Sequence, residues 1–313
     1  MTRRTYDLVA LGEPLIEFNQ RDPAQPRFQM GFGGDTSNAV IAAARLGARC
    51  AYVTQVGDDS FGEALLALWR REGVATDGVR SVPGAPTGLY FVIHGARGHE
   101  FTYRRAGSAA SLMTPAQLPR ELIAAASQLH VSGISLAISQ SACDSVFEAI
   151  TVARAAGVRI SFDLNHRPRL WSAARALEMT RRVLADCDLF LPSVDEIALL
   201  TGMQSPEAVI GWAHEQGARA VVLKLGAMGC IVSDGHTVTP LPPWRVTPVD
   251  ATGAGDCFAG ACLSQLARGA SLVEAARVAN IAAALSTQGF GAVDPLPRWA
   301  QVQPLLAQMT GTP

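Results

Sequence analysis

Two aspartates, Asp250 and Asp256, bracket a run of small residues in the stretch VDATGAGDCFAG, positions 249–260. Gly253, Ala254 and Gly255 leave their backbone N–H groups unshielded. An apolar pattern that includes Phe258, Leu263 and Leu266 predicts a helix over Ala254–Arg268. The mouth of a helix carries free N–H donors and roughly half a positive charge, so a phosphoryl group fits there. Asp256 falls in the first turn, where a carboxylate is stabilised for structural reasons alone. It is equally suited to accept a proton from a hydroxyl that attacks phosphorus.

Other phosphate motifs are missing. No GxxxxGK[ST] loop occurs, and the first strand is followed by LGEP (Leu11–Pro14), with a single glycine where a dinucleotide fingerprint needs three. A nicotinamide-dependent dehydrogenase is therefore weakly supported. The net charge of −1 gives no pull toward nucleic acid or anionic membrane. No apolar run reaches the 18 residues of a membrane span. The N-terminal MTRRTYDLVALGEP lacks an apolar signal region and reads as a first strand. The six cysteines, Cys50, Cys143, Cys187, Cys230, Cys257 and Cys262, show no metal-ligand spacing and read as buried thiols of a reducing cytoplasm. Cys257, beside Asp256, is the one candidate for a reactive thiol.

The elements that must position Asp256 alternate along the chain. Asp7–Leu11, Ala51–Val56, Gln128–Ser132, Val158–Asp163, Asp188–Leu191 and Ala220–Lys224 read as strands. Ser60–Glu72, Ser141–Ala156, Ser172–Ala185, Ser193–Thr201 and Pro206–Gln216 read as helices; in the first, Phe61, Ala64, Leu65, Leu68 and Trp69 share one face. Such alternation predicts a mostly parallel sheet covered on both faces. Two regions break it. Arg27–Phe32 is short and extended, and Thr87–Arg105 reads as two strands around the turn Gly95–Gly98, with Phe101, Tyr103 and Arg105 on one face. One domain spanning residues 1–313, with a small β flap, is the simplest organisation.

Two stretches resemble the signatures of the ribokinase-like, or PfkB-type, carbohydrate kinases. DATGAGD (Asp250–Asp256) is similar to the family's C-terminal signature, and GFGGDTSNAVIAAARLG (Gly31–Gly47) to its Gly-Gly…Asn stretch. The resemblance covers nearly the whole chain, in order. It implies a three-layer α/β/α sandwich with a β-sheet lid, from segments near 12–33 and 87–106. It implies Asp256 as catalytic base and Gly253, Ala254 and Gly255 as an anion hole. Gly33, Gly34 and Asn38 would line the sugar end of the pocket; from the residues alone they are also a glycine turn and helix cap. A cytoplasmic homo-oligomer joined through the lid is expected as well.

On the nucleotide side the resemblance places Asn165 near the phosphates, though an Asx turn is an equal reading. LPSVDE (Leu191–Glu196) departs from the family's usual Asn-x-x-Glu: Ser193 replaces the Asn, and Ser193-x-x-Glu196 is also a capping box. Glu196 still matches. Lys224, Gly226 and Gly229 resemble the loop walling the nucleotide, and Asn280 the residue bordering adenine, the plain alternative being a polar helix surface. ATP and Mg²⁺ are implied, the ion sitting mostly on phosphates and water. A monovalent cation such as K⁺ would sit at Asp250 and Thr252.

A sugar acid needs a cation for its carboxylate, and an arginine fork binds both oxygens. YRRAGSAA (Tyr103–Ala110) and DLNHRPRLW (Asp163–Trp171) look most like the 2-keto-3-deoxygluconate kinase branch. There Tyr103, Arg105 and Arg167, with Gly34 and Tyr90, would contact the acid and turn its C6 hydroxyl to Asp256. Fructokinase, ribokinase and 5-dehydro-2-deoxygluconokinase remain open, and so does a sugar-binding module that has lost catalysis.

Overall fold

Leu8–Leu11 (β1) is buried at every position, as a strand covered on both faces must be. The computed structural model describes residues 4–22, 24–95 and 98–310. The remaining strands are β2 (Leu15–Gln20), β3 (Gln29–Gly33), β4 (Cys50–Gly57), β5 (Val74–Val82), β6 (Leu89–Gly95), β7 (Gly98–Arg104), β8 (Gln128–Ser132), β9 (Arg159–Asp163), β10 (Leu189–Phe190), β11 (Val221–Lys224), β12 (Cys230–Ser233) and β13 (Val238–Leu241). The helices are α1 (Asp35–Arg45), α2 (Ser60–Arg71), α3 (Arg120–Ala124), α4 (Gly133–Ala137), α5 (Gln140–Ala155), α6 (Ala173–Leu184), α7 (Val194–Thr201), α8 (Pro206–Glu215), α9 (Ala254–Ala267), α10 (Leu272–Ser286) and α11 (Trp299–Thr310).

Nine strands form the main sheet in the order β13-β12-β11-β10-β9-β8-β1-β4-β5. Pairing is parallel from β5 through β11, and β12 and β13 add an antiparallel edge. Alternation along each strand feeds two cores. Leu8, Ala10, Leu189 and Val222 join the core made with α1, α2, α9 and α10. Val9, Leu11, Phe190 and Leu223 join the one made with α5, α6 and α8. The expected helix face of Leu65, Leu68 and Trp69 is buried in the first of these. The strand order turns back at β1: β4 and β5 run outward on one side, β8 to β11 on the other. Ligands of open parallel sheets bind beyond the carboxyl ends of strands near such a reversal.

The second sheet has the order β3-β2-β6-β7, with β2 and β6 parallel and the outer pairs antiparallel. It contains the two expected strands around residues 95–98 and the extended 27–32 segment. It also contains β2, which falls in the 12–33 lid segment that the family resemblance implies but is not read as a strand from its own residues. In LIEFNQ the polar Glu17 and Asn19 are as buried as Leu15 and Ile16, so alternation gives no signal. The turn residues Ala96 and Arg97 lie outside the described residues, as do Met1, Thr2 and Arg3 of the N-terminal stretch. No helix among the described residues is long and apolar enough to cross a membrane.

The helix after Gly33–Gly34 begins earlier than an Asn cap at 38 would allow. Gly34 is its N-cap, at φ 100°, and Asn38 sits inside the first turns. The helix packs on α9 at very short range: a Cβ on Gly260 would stand 2.1 Å from the Ala39 carbonyl oxygen. That contact brings the N-terminal ends of α1 and α9 together, and with them Asn38 and Asp256.

Candidate active site

Four consecutive polar residues, Asp35, Thr36, Ser37 and Asn38, are buried at the start of α1. Two have structural partners: Thr36 Oγ1 lies 2.9 Å from the Tyr52 hydroxyl, and Ser37 Oγ accepts from Trp69 Nε1 at 3.0 Å. The other two face the cleft. Asn38 Nδ2 donates to Asp256 Oδ2 at 2.8 Å, while Asn38 Oδ1 and Asp35 Oδ1 are buried without a partner. A buried oxygen lacking a donor costs about 1–3 kcal/mol and marks a place for a ligand or water.

Asp256 lies in the first turn of α9, whose N-cap Gly253 has φ 76°. By helix geometry the amides of Gly255 and Asp256 have no carbonyl one turn back. Asn165 Nδ2 bridges the two carboxylates of the cleft, donating to Asp256 Oδ1 at 3.3 Å and Asp35 Oδ2 at 3.2 Å. Asn165 leaves β9 at φ 36°, the one non-glycine residue with positive φ among the described residues, and its N–H is held by Asp163 Oδ1 at 3.1 Å. Backbone strain of this kind, held by surrounding bonds, collects at functional sites. The expected Asx turn and an expected site residue are therefore the same residue. Burial pushes the Asp256 carboxyl up to about 8; Asp35 and Asp163 add to the rise, and Asn38 and Arg167 oppose it.

Lys224, at the end of β11, donates to Asp163 Oδ2 at 2.7 Å in a nearly dry ion pair. Burial pulls its ammonium down, but Asp163, Glu196 and Asp256 together hold it above its ordinary value. A Cβ placed on Gly255 would meet nothing but Lys224 Nζ, at 3.5 Å. The small residues of the loop, its amides and one ammonium thus surround an open, positively polarised hollow. That is a fit for a phosphoryl group.

Ser193 caps α7 with its Oγ accepting from the Glu196 N–H at 3.3 Å, and Glu196 Oε2 accepts from the Ser193 N–H at 3.1 Å. The capping box is realised. Glu196 also reaches the cleft wall, its Oε1 accepting from the His166 N–H at 3.1 Å. Gly226 and Gly229 sit in a turn after β11. A Cβ on Gly229 would stand 2.2 Å from the Leu241 carbonyl oxygen, and Asn280 Nδ2 donates to the neighbouring Pro242 carbonyl at 3.1 Å. Asn280 is therefore buried and anchors the segment after β13, which corrects the alternative reading of a helix-surface residue. Asp250 Oδ1 accepts from the Thr252 N–H and hydroxyl at 2.9 and 2.7 Å, and Oδ2 from the Gly291 N–H at 3.0 Å. These bonds tie the loop before α9 to the segment after α10. Cys257 is fully buried, and burial pushes its thiol up to about 12, so it is core.

In the small sheet, Gly33 is shaped by Tyr90: a Cβ there would stand 2.5 Å from the Tyr90 hydroxyl. That hydroxyl donates to Glu17 Oε2, and the ring stacks on Tyr103 with centroids 5.7 Å apart. Arg105 lies with its guanidinium 5.3 Å from the Tyr103 ring centre. It is not unpaired: Nη2 donates to Glu13 Oε2, and Glu13 Oε1 accepts from the Ser108 hydroxyl at 2.7 Å. Arg105 Nε is buried with no acceptor. Arg167 is looser, its Nη1 donating to the His166 carbonyl at 3.0 Å and standing 3.9 Å from Glu196. Asp35, Glu13 and Glu17 escape the sequence reading as site residues, and Asp163 enters it only as a strand end. The signal available for the first was an acidic residue directly after a glycine pair at a helix start.

The chain matches the pfkB family carbohydrate kinase profile over residues 5–299. It is 35% identical to the 2-dehydro-3-deoxygluconokinase of Thermoproteus tenax, covering 96% of this chain and 94% of that one. It is also 35% identical to fructokinase-1 of Zea mays, with coverages of 96% and 97%. A solved chain provisionally named ribokinase II, from Escherichia coli in complex with ATP and Mg²⁺, superposes with a TM-score of 0.88. It is 27% identical and covers 96% of this chain and 99% of its own. The chain belongs to the PfkB family of carbohydrate kinases, and its fold is ribokinase-like. It is a sugar kinase, and family and neighbour together support ATP as donor with Mg²⁺ as its ion. No cluster of three metal-ligating side chains occurs among the described residues. Glu196 and Asp163 already use their oxygens on the His166, Ser193 and Asn165 N–H groups and on Lys224, so they fit an ion carried mostly on phosphates and water.

Proposed function

We propose that the chain phosphorylates 2-keto-3-deoxygluconate at its C6 hydroxyl. Asp256 takes the hydroxyl proton as that oxygen bonds to the γ-phosphorus of ATP. The bond to the β–γ bridging oxygen breaks and ADP leaves. Gly253, Ala254 and Gly255 would hold charge on the transferring group, with Lys224 beside them. Mg²⁺ would neutralise charge on the phosphates, and Glu196 and Asp163 are the residues that would hold it, through water. Asn165 and Asn38 hold the two Asp256 oxygens. Ser193, Gly226, Gly229 and Asn280 would shape the nucleotide side, and Gly33, Gly34, Tyr90, Tyr103, Arg105 and Arg167 the sugar side.

The observation that carries the sugar-acid reading is Arg167. It leaves the strand end next to Asn165, is half-exposed, has only a backbone carbonyl and a distant carboxylate as partners among the described residues, and is close enough to lower the Asp256 pKa. A cation so placed suits a substrate carboxylate. One observation favours fructokinase as second reading: Arg105 already has a carboxylate, Glu13, and a maize fructokinase is as similar as a sugar-acid kinase. The test is kcat/KM of Arg167→Ala with 2-keto-3-deoxygluconate and with fructose. Loss of one charge-assisted pair should reduce the acid by roughly ten- to a hundredfold and fructose much less. Equal losses, or a wild-type preference for fructose, would leave only the broader sugar-kinase reading.

The small sheet would act as the lid, in one domain with the main sheet. Phe28 and Met30, exposed on and beside its β3 edge, suit a second copy of the chain, which sedimentation would test. Potassium at Asp250 and Thr252 would share Asp250 oxygens that already accept from the Thr252 N–H and hydroxyl and from the Gly291 N–H.

A further inference from the structure

We infer that Glu13 is a positioning residue that sets how strongly the pocket takes an anionic substrate, by holding Arg105 in place and offsetting its charge. The inference deepens the sugar-acid reading and rests on it for the identity of the anion. Glu13 follows β1 at the point where the strand order reverses, and it is 1% exposed. A carboxylate this dry is present only if its oxygens are satisfied. One oxygen is taken by Arg105 Nη2 and the other by the Ser108 hydroxyl. The arrangement is closed around it: a Cβ on Gly88 would lie 3.2 Å from Glu13 Oε1.

Arg105 is less enclosed than Glu13 but still mostly covered, its side chain 10% exposed. Its guanidinium is fixed from two sides, by Glu13 at one nitrogen and by the Tyr103 ring. Yet Nε is buried with no acceptor. A guanidinium bonded through Nη2 alone keeps other donors for a second acceptor, and Tyr103 stacks on Tyr90, which lies against Gly33. The spare donor therefore belongs to the sugar end of the cleft. An anion arriving there meets a cation whose charge Glu13 already offsets. Glu13 gives orientation and holds back affinity for acids, which lets neutral sugars compete.

Glu13→Gln separates these two effects. The amide keeps the size, an oxygen for Arg105 and a hydrogen-bonding group for Ser108, but not the charge. At pH 8, the ratio of kcat/KM for 2-keto-3-deoxygluconate to that for fructose should rise roughly tenfold, through KM of the acid and not through kcat. The same change placed on Arg105→Gln should leave the ratio where Arg105→Gln alone puts it, because Glu13 acts through that arginine. Melting temperature and KM for ATP report whether each variant is folded. If Glu13→Gln leaves the ratio unchanged or lowers it, or shifts it equally with and without Arg105, the inference is overturned. If wild type phosphorylates fructose and not the acid, the sugar-acid reading fails by itself. The Glu13 effect is then read as the inhibition constant of 2-keto-3-deoxygluconate against fructose phosphorylation, expected to fall roughly tenfold in Glu13→Gln.

Discussion

Replacing Lys224 by Met removes the ammonium that lies between Asp163 and the hollow at Gly255. Asp163 is 4% exposed at its side chain, and without Lys224 the one hydrogen-bond donor left to it among the described residues is the Asn165 N–H. Breaking a buried pair from one side leaves an uncompensated charge and costs about 3–5 kcal/mol. At about 2–4 °C per kcal/mol, the conversion for domains of about 150–250 residues, the melting temperature should fall by roughly 6–20 °C at pH 8. Burial already raises the Asp163 carboxyl above its ordinary value, so the variant can shed part of the penalty by binding a proton. The loss should therefore shrink as pH falls toward 5. The double variant Asp163→Asn with Lys224→Met carries no buried charge there and should recover most of the stability. It should not recover turnover, since no cation faces the phosphoryl hollow. Thermal unfolding at pH 5 and 8, with kcat at saturating ATP, reads both arms. A single variant that melts within about 1 kcal/mol of wild type, or a double variant as unstable as the single, would refute the reasoning from this ion pair.

Gly255→Val has room in the ligand-free protein, since its Cβ would meet only Lys224 Nζ, so it should fold yet lose about 3–4 kcal/mol of transition-state stabilisation; an unchanged rate would mean that phosphate does not bind there. Asp256 must give up its proton to act as a base, so kcat/KM should rise with unit slope up to a pKa of about 8 and then level off; a rate independent of pH between 6 and 9 would exclude it as the titrating group. The folded state binds this proton more tightly than the unfolded chain, so Asp256 lowers stability as pH rises from about 4 to about 8; in Asp256→Asn the fall across that window should flatten, as denaturant titrations at several pH values would read. Arg105→Ala should destabilise the fold as well as the site, because it strands the buried Glu13, whereas Arg167→Ala should leave the unfolding free energy within about 0.5 kcal/mol of wild type, as denaturant titration would read.

The parallel sheet was legible because its central strands are short, largely apolar runs alternating with helical stretches, and two of them, β9 and β11, close on a polar residue. Asp163 and Lys224 mark two such ends in the sequence before the structure joins them. The helix carrying Asp256 was legible for the same reason, its glycines standing next to an apolar stripe. The β2 strand was not, because Glu17 is buried by its bond to Tyr90, a partner 73 positions away. Local periodicity contains nothing of that contact. The start of α1 was hidden likewise: its polar residues look like a solvated turn until Tyr52, Trp69, Asn165 and Asp256 surround them. Arg105 shows the limit from the other side. Its type and strand face suggested a free cation, and only the fold brings Glu13 against it.

The most direct measurement is turnover and ATP binding of Asp256→Asn on one folded preparation. The side chain keeps its size and a hydrogen bond to Asn38 or Asn165, so ATP affinity should stay close to wild type. A kcat reduced by about 10²–10⁴-fold is the result predicted for a lost general base. A folded variant that binds ATP and turns over sugar at near wild-type rate would contradict the assignment of phosphoryl transfer to this helix mouth.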